Sequence, residues 1–441
     1  MHQLLRFNDF FRHAFLGILL ISIPTLLAAQ TDAKTDSLAQ YKHQRDSAMA
    51  SQYDISDLIG RIIHPKRKKE HASKRSPITL MPNIAYNPTI GGQIGIKAVA
   101  GKVLGDPKTT TMSIAATSAS ITTKNIMVFY ISHNIFTPNN KLNFQGAFAL
   151  VKMVALDAGL GMTPHGKWNN ADEEILANPD HKKYGAKYNA FTFNEKVYKR
   201  IADGLFVGAG LAFDLRRKIT SSGPNGNITP NTIYTEKHGF DPDSYNSNGL
   251  LLNMQYMTRD NPNRPYKGIY SDIGVRWNTT LLGSSKSAVQ LTTDFRKYFS
   301  LSQSDPAHVL AFWYWGSYKL GGTLPYFDLP GTGRDVAVRS GRGYTIGYFK
   351  GGYFKGISFG YAETEYRFPI LKNRFLSGAA FFNLQTASDE LGNKLFERWQ
   401  PGGGAGLRVL FNKATRTNLC LDYAFGKYGS RGFFLGLNEA F

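Results

Sequence analysis

Cysteine is nearly absent from this sequence of 441 residues, in which Cys420 is the single example. No disulfide can therefore form within the chain. Long apolar runs are also missing, because nothing after residue 29 approaches the roughly 20 apolar residues that a membrane-spanning helix needs. These absences exclude a disulfide-stapled scaffold and a helical membrane protein. Stability must come from packing and closed backbone hydrogen bonding.

Recognisable catalytic and metal-binding motifs are also absent. There is no G-x-S-x-G elbow, and His133 and His308, the histidines within predicted strands, have no Ser and Asp at the spacing of a triad. We interpret both as structural residues of the strands whose hydrogen-bonding groups are satisfied. Residues 241–246 are rich in oxygen ligands but lack the turn glycine and closing glutamate of a calcium loop. We expect no enzymatic activity, no cofactor and no metal site.

The N-terminus predicts export. Arg6 and Arg12 precede an apolar run over 14–27, and Ala28 and Ala29 follow it. This is the pattern of a secretory signal peptide over residues 1–29. The formal charge of +20 would suggest nucleic acid in a cytosolic protein. Export removes that partner, so we expect no nucleic acid and take outer-membrane lipids and lipopolysaccharide as the counterions.

Residues 30–77 predict a polar periplasmic segment that contains a short helix and a basic run. Asp54 is suited to cap a helix that ends before Pro65. Its apolar residues follow helical spacing, and they include Ile55, Leu58, Ile59 and Ile62. The basic run behind it includes Lys66, Arg67, Lys68 and Lys69. An amphipathic stretch beside a basic run indicates membrane-surface or partner binding, and a solvated linker is an equally weighted alternative.

Residues 78–441 alternate between apolar and polar or small side chains. Over 418–426, Leu419, Leu421, Tyr423 and Phe425 share one face of a strand. The last strand presents an outward face that ends in an aromatic residue, as in a C-terminal targeting signal of an outer-membrane barrel. That face comprises Phe433, Leu435, Leu437 and Phe441. Half-buried strands of a soluble sandwich also alternate, so other features must decide between the two folds.

Loop lengths and buried charges favour the membrane barrel. Sixteen strands are predicted, at 78–87, 91–103, 108–120, 125–136, 140–152, 186–199, 204–218, 249–258, 268–278, 287–298, 308–320, 357–368, 374–384, 403–411, 417–426 and 431–441. Short turns alternate with long loops such as 153–185 and 219–248, which is the asymmetry of outer-membrane barrels. The alternation also assigns charged residues such as Asp272 and Arg276 to the lumen. We predict an all-β, sixteen-stranded antiparallel transmembrane barrel.

Several motifs resemble the bacterial surface antigen family, the superfamily of BamA-like and TamA-like outer-membrane assembly factors. The first is Arg342-Gly343-Tyr344, between the eleventh and twelfth predicted strands. The second is 365–369 in the following strand, and the third is a C-terminal block that includes Asp422. Residues 258–262 with 267–268 are similar to the family's mid-barrel periplasmic turn. The resemblance covers 76–441.

The resemblance implies that the loop between strands 11 and 12 folds into the lumen. It also implies that Arg342 reaches Glu365 on the wall. Arg339 competes for that role, and Asn383 stands where relatives usually have Asp. Relatives carry polypeptide-transport-associated domains before the barrel, and residues 30–77 are too few and too polar to form one. We therefore expect a barrel-only member.

The resemblance also implies a function in the bacterial outer membrane. We expect an accessory factor in the insertion or translocation of outer-membrane proteins or lipids, working with an outer-membrane or periplasmic protein partner. A ligand-gated or passive channel that uses the charged lumen is one alternative. A structural barrel that presents loops 153–185 and 219–248 to a partner is another.

Overall fold

A computed structural model describes most of the chain. The described residues are 51–63, 78–87, 91–106, 109–162, 169–178, 184–226, 228–331, 354–413, 415–426, 431–437 and 439–441. Almost all of them belong to one compact unit, Tyr53–Phe441. None of the helices in these ranges has the length and apolar character required to span a bilayer.

The described elements are three α-helices and seventeen strands. The helices are α1 (Ile55–Ile63), α2 (Ala171–Ala177) and α3 (Pro230–Lys237). The strands are β1 (Ile78–Pro82), β2 (Ala85–Asn87), β3 (Gly91–Val103), β4 (Met112–Thr122), β5 (Met127–Phe136), β6 (Leu142–Asp157), β7 (Tyr184–Ala202), β8 (Leu205–Ser222), β9 (Ser244–Met257), β10 (Gly268–Asn278), β11 (Ala288–Ser300), β12 (Val309–Gly322), β13 (Ser358–Pro369), β14 (Leu376–Ser388), β15 (Gln400–Asn412), β16 (Thr417–Gly426) and β17 (Arg431–Leu437).

The strands form one closed antiparallel ring. Each strand from β3 to β17 pairs with its neighbours in sequence. Strands β1 and β2 both pair with β3, so they are two pieces of one first strand, interrupted at Asn83 and Ile84. The ring closes where β17 meets β2. The predicted sixteen-stranded barrel is therefore confirmed, with its first strand divided.

The two faces of the wall differ in exposure as the alternation predicts. On the outer face, Ile94 and Leu252 are 66% and 63% exposed, while Tyr198 on the inner face of β7 is 0% exposed. An apolar outer belt with a charged interior is the pattern of an outer-membrane barrel. The charges predicted to face the lumen, including Asp272, Arg276 and Arg367, are buried there.

Aromatic side chains fill part of the lumen along β11, β12 and β13. They form one buried cluster with smaller apolar residues. Its large members are Met162, Tyr266, Tyr298, Trp313, Trp315, Phe354, Phe359, Tyr361 and Phe441. The interior next to these strands is thus packed rather than open.

A dome of loops packs over the extracellular end. Its apolar core joins the β6–β7, β8–β9 and β12–β13 connections, and it includes Leu160, Leu176, Ile233, Tyr234 and Tyr326. Beneath it, the carboxylate of Asp157 accepts from Lys355 Nζ at 2.5 Å and from the Tyr326 hydroxyl at 2.9 Å. Burial, with Glu390 nearby, raises the pKa of Tyr234 in α3. Its phenol stays protonated and donates to the carbonyl of Leu324 at 3.1 Å.

The β9–β10 connection, residues 258–267, reaches the turn between β15 and β16 on another side of the ring. Arg416 donates to Asp260 at 2.7 Å, and Asn263 donates to the carbonyl of Thr415 at 3.0 Å. The guanidinium of Arg416 also lies 4.1 Å from the centre of the Tyr266 ring. We call residues 258–267 the periplasmic floor, because to reach this turn they must cross beneath the lumen.

Candidate functional site at the barrel seam

The seam between the first and last strands is the weakest contact in the ring. Strand β17 pairs with β16 along its whole length, from Leu437 opposite Leu419 to Arg431 opposite Phe425. Among the described residues, its pairing with β2 is Leu435 opposite Tyr86. Strand β1 pairs with β3, and no residue pair joins its other edge to a described strand. The periplasmic half of the seam therefore leaves a strand edge open.

The last residues of the sequence leave the sheet and enter the lumen. The prediction that Phe441 lies on the outer face is wrong, because side-chain alternation applies only within a strand and β17 ends at Leu437. Phe441 is fully buried, with its ring centre 5.2 Å from that of Trp313 and 6.2 Å from that of Tyr298. Arg367 Nη2 donates to its carbonyl oxygen at 2.7 Å.

The remaining residues of the predicted targeting signal stay on the wall. Phe433 is 54% exposed on the outer face, and Leu435 and Leu437 are half-buried. A targeting role for these residues stays a prediction.

Glu439 is the anchor of the inward-turned segment. Its Oε2 accepts from Arg408 Nε at 2.7 Å, and its Oε1 accepts from Asn418 Nδ2 at 2.7 Å. Arg264 of the periplasmic floor forms an ion pair with Oε1 at 3.4 Å. All these side chains are buried, where an ion pair is screened little by solvent. The floor and two wall strands therefore hold the segment together.

Arg408 links Glu439 to the predicted wall carboxylates. It donates to Asp422, and its Nη2 lies 3.5 Å from Glu365. Glu365 also accepts from Arg367. The structure thus brings Glu365 and Asp422 together through arginines of the wall itself. The predicted loop residues Arg342, Gly343 and Tyr344, and the competing Arg339, lie outside the described residues, so the contact between Arg342 and Glu365 stays a prediction.

Unsatisfied acceptors lie beside this network. Glu363 is opposite Asn383 across β13 and β14, and both are buried. Tyr361 donates to one oxygen of Glu363. Among the described residues, the other oxygen of Glu363 and both amide atoms of Asn383 have no hydrogen-bond partner. Leaving a buried carboxylate oxygen without a hydrogen bond costs free energy. A polar group from another segment could therefore bind to the wall at Glu363 and Asn383.

Helix α1 is fixed to the periplasmic rim next to the same strands. Asp54 caps it, as predicted, by accepting from the backbone N–H of Asp57 at 3.1 Å. Lys413, in the turn after β15, donates its backbone N–H to Asp54 at 3.1 Å and its Nζ to Asp57 at 2.7 Å. Tyr53 packs edge-on against Phe375 with 5.7 Å between ring centres. The helix therefore sits at the turn that precedes β16.

The apolar face of α1 is not covered by the barrel. Ile62 is 71% exposed, Ile59 and Leu58 are also exposed, and Ile55 is half-buried. Lys66, Arg67, Lys68 and Lys69 lie outside the described residues. The predicted membrane or partner contact thus has an available apolar surface, and its occupant is not determined by these contacts.

Sequence reasoning missed three participants of the site. Arg264 lies in a connection, Glu439 follows the last strand, and Lys413 lies in a turn, so none follows the alternation that identified the wall charges. The signal that could have identified Glu439 was a charged residue breaking the apolar face of the last strand. In the described part of the chain, no three His, Cys, Asp or Glu side chains are grouped to hold a metal ion.

Comparison with known proteins agrees with this architecture. The profile of the Omp85 superfamily domain matches residues 110–441, about three quarters of the sequence. The chain belongs to the Omp85 superfamily. The predicted resemblance to BamA-like barrels is confirmed, and this Omp85 chain is an outer-membrane β-barrel.

Solved structures share the fold at low sequence identity. BamA from Haemophilus ducreyi lacking POTRA domains 1–3 matches with a TM-score of 0.52 and 13% identity, covering 82% of this chain and 70% of that one. CdiB from Escherichia coli matches with a TM-score of 0.54 and 8% identity, covering 83% and 63%. The chain thus spans less than two thirds of the CdiB structure. No curated protein sequence matches it.

Proposed function

We propose that this Omp85 barrel inserts or translocates outer-membrane proteins or lipids through an opening between its first and last strands. The observation that carries the proposal is the seam, where the described residues form one pair, Tyr86 with Leu435. Every other interface in the described wall has a longer ladder, and the shortest of them, between β2 and β3, has three residue pairs. Opening the wall here breaks fewer backbone hydrogen bonds than opening it elsewhere.

The free edge of β1 supports a strand-pairing mechanism. An unpaired edge presents a row of backbone donors and acceptors to an incoming strand. Inside a bilayer such groups have no water to bond with, so pairing there is strongly favoured. Residues Ile78–Pro82 thus have the properties of a template for a substrate strand.

The lumenal anchor keeps that template available. Glu439 and Phe441 are held by Arg408 and Arg367, so the residues that follow β17 are drawn away from β1. If this segment continued β17 instead, it would extend the ladder along the seam. The buried ion pairs therefore keep the pairing that closes the wall short.

In this proposal the barrel acts with a partner at its periplasmic rim and catalyses no reaction. The exposed apolar face of α1 at the periplasmic rim is suited to a membrane surface or a protein that delivers substrate, and the basic run that follows is suited to anionic lipid headgroups. Acting beside such a partner makes the barrel an accessory factor.

A disulfide across the seam tests the opening. Paired residues of antiparallel strands have Cα atoms about 4.5–5.5 Å apart, within the range of a disulfide. We expect the Tyr86→Cys/Leu435→Cys protein, once oxidised, to lower the amount of folded outer-membrane barrels several-fold in cells that depend on it, and reducing agent to restore it.

The matched control is Leu421→Cys/Leu435→Cys, which staples β16 to β17 and leaves the seam free. Cys420 faces the lumen and is buried, so it contributes little background. Equal activity of the two oxidised proteins would contradict the opening.

The competing channel function draws support from the charged lumen and is opposed by the dome and the aromatic cluster. Planar-bilayer recordings separate the two functions. Large steady currents from the wild-type barrel would favour a channel, whereas a closed barrel should conduct mainly after residues 321–356 are deleted.

The third candidate function is a structural barrel whose surface loops bind a partner. Its binding surface would include helices α2 and α3, which lie in the loops 153–185 and 219–248. Purification from native membranes with these loops intact and replaced would test it. Loss of a stoichiometric partner on replacement would favour this function.

A further inference from the structure

A histidine and a glutamate meet on the outer face of the barrel, among mostly apolar side chains. The buried strand carboxylates that face the lumen include Asp157, Asp214, Asp272, Glu363, Glu365 and Asp422. Glu195 on β7 has the opposite orientation, since it shares a face with Val197, which is 40% exposed. His133 on β5 shares a face with the exposed Ile131.

The two side chains meet across β6. His133 Nε2 and Glu195 Oε1 are 3.1 Å apart, with side chains 28% and 30% exposed. In the strand register, Gly146 is opposite both His133 and Glu195. A Cβ atom at Gly146 would collide with both side chains. The glycine therefore allows the pair to lie flat against the backbone of β6.

The pair is inside the apolar band rather than at its rim. Apolar outward residues occupy the neighbouring rows on both sides along the strands. These are Ile131, Phe148 and Phe193 on one side, and Ile135, Phe144 and Val197 on the other. Charged groups on the lipid face of a barrel are destabilising, increasingly so toward the middle of the bilayer. A position of this kind requires a compensating contact.

Each member of the pair has one further polar atom that can form a hydrogen bond. In the described part of the chain, Nδ1 of His133 and Oε2 of Glu195 have no hydrogen-bond partner. When Nδ1 of His133 carries a hydrogen it is a donor, and Oε2 of Glu195 is an acceptor. Hydrocarbon satisfies neither. The surface thus presents one donor and one acceptor side by side, which is a self-complementary set.

We propose that a second copy of this chain docks here and forms a two-fold symmetric dimer. Two barrels inserted in the same direction in one membrane can be related by a two-fold axis only along the membrane normal. That axis places β5 of one protomer opposite β7 of its partner at the same height, with β6 facing β6. Each His133 then donates to Glu195 of the other copy, as an isologous interface requires.

The local surface permits close approach. Gly146 lies where the two β6 strands cross, and Ala115 is next to His133 on β4. The interface therefore combines reciprocal hydrogen bonds with small side chains at its centre.

Cysteine cross-linking in native outer membranes tests the dimer. Phe148 on β6 lies close to the proposed axis, and Phe382 on β14 is an outward phenylalanine on a different part of the wall. We expect Phe148→Cys to give a disulfide-linked species of twice the protein mass and Phe382→Cys to give none. Absence of the Phe148→Cys dimer, or its cross-linking only to a protein of another mass or to lipid, would overturn the proposal.

A second pair of variants separates dimerisation from folding. His133→Leu/Glu195→Leu removes the polar groups from the lipid face, so we expect the barrel to remain folded and at least as resistant to urea. Cross-linking through Phe148→Cys should fall about tenfold, the scale of losing two interfacial hydrogen bonds. A variant that unfolds more easily yet cross-links as before would show that the pair acts only within one copy.

Discussion

Arg408 Nε lies 2.7 Å from Oε2 of Glu439, and this contact ties the end of the sequence to the inner wall of the barrel. The same guanidinium reaches Asp422 on β16 and Glu365 on β13. One buried arginine therefore connects three carboxylates from separate parts of the fold, and the wall beside the seam depends on it.

Removing the charge of Glu439 should release the inward-turned segment. Glu439→Gln weakens charge-assisted hydrogen bonds worth about 1.5–3 kcal/mol. We expect faster hydrogen exchange in a peptide covering 431–441, measured by mass spectrometry. Asp214→Asn is the control, since it weakens a lumenal pair with Arg276 that does not touch this segment. Equal exchange of 431–441 in both variants would contradict the anchoring role.

The position of Phe441 predicts an unequal cost of two similar substitutions. Phe441→Ala leaves a cavity among packed aromatic rings and should cost about 3–5 kcal/mol. Phe433→Ala removes a ring from the lipid face without leaving a cavity, and should cost about 1.5–3 kcal/mol. Urea unfolding of barrels refolded into liposomes, followed by gel mobility, gives both values. The reverse order would place Phe441 outside.

Helix α1 should detach locally when its cap is removed. Asp54→Ala loses the cap and the hydrogen bond from Lys413, at a cost of about 1–2 kcal/mol. A loss near 1.4 kcal/mol corresponds to about tenfold faster hydrogen exchange over residues 55–63. Ser56→Ala is the control, because Ser56 is exposed on the same helix. The barrel strands should exchange as in the wild type, and a global change would show that the helix is part of the folding core.

The buried pair between Asp157 and Lys355 should limit the passage of ions from the extracellular side into the lumen. Removing one member of a buried pair costs about 3–5 kcal/mol, whereas replacing both by apolar residues is often neutral. We expect Asp157→Asn to raise ion conductance in planar bilayers and Asp157→Leu/Lys355→Met to return it toward the wild-type level. Unchanged conductance in the single variant would show that the dome stays closed without this pair.

The wall was predictable from sequence because strand alternation is a local property. The predicted strands 91–103, 268–278 and 417–426 coincide with β3, β10 and β16. The inward charges followed from the same rule, because the lipid face excludes them. His133 shows its limit, since a histidine assigned to a satisfied wall position pairs with Glu195 on the outer face.

The contacts between distant segments were not predictable in this way. Lys413 reaches Asp54 across most of the sequence, and Arg264 reaches Glu439 from the opposite side of the ring. The inward turn after Leu437 depends on an aromatic pocket formed by three other strands. Such features arise from tertiary geometry, which residue spacing does not encode.

The turn between β15 and β16 contacts two other segments, because Lys413 donates to Asp57 of α1 and Arg416 donates to Asp260 of the periplasmic floor. Displacement of α1 would therefore be transmitted through this turn to the periplasmic floor. Because Arg264 of the floor pairs with Glu439, the displacement would also act on the segment that follows β17. A force applied to α1 at the periplasmic rim would in this way act on the ion pair between Arg264 and Glu439 inside the barrel.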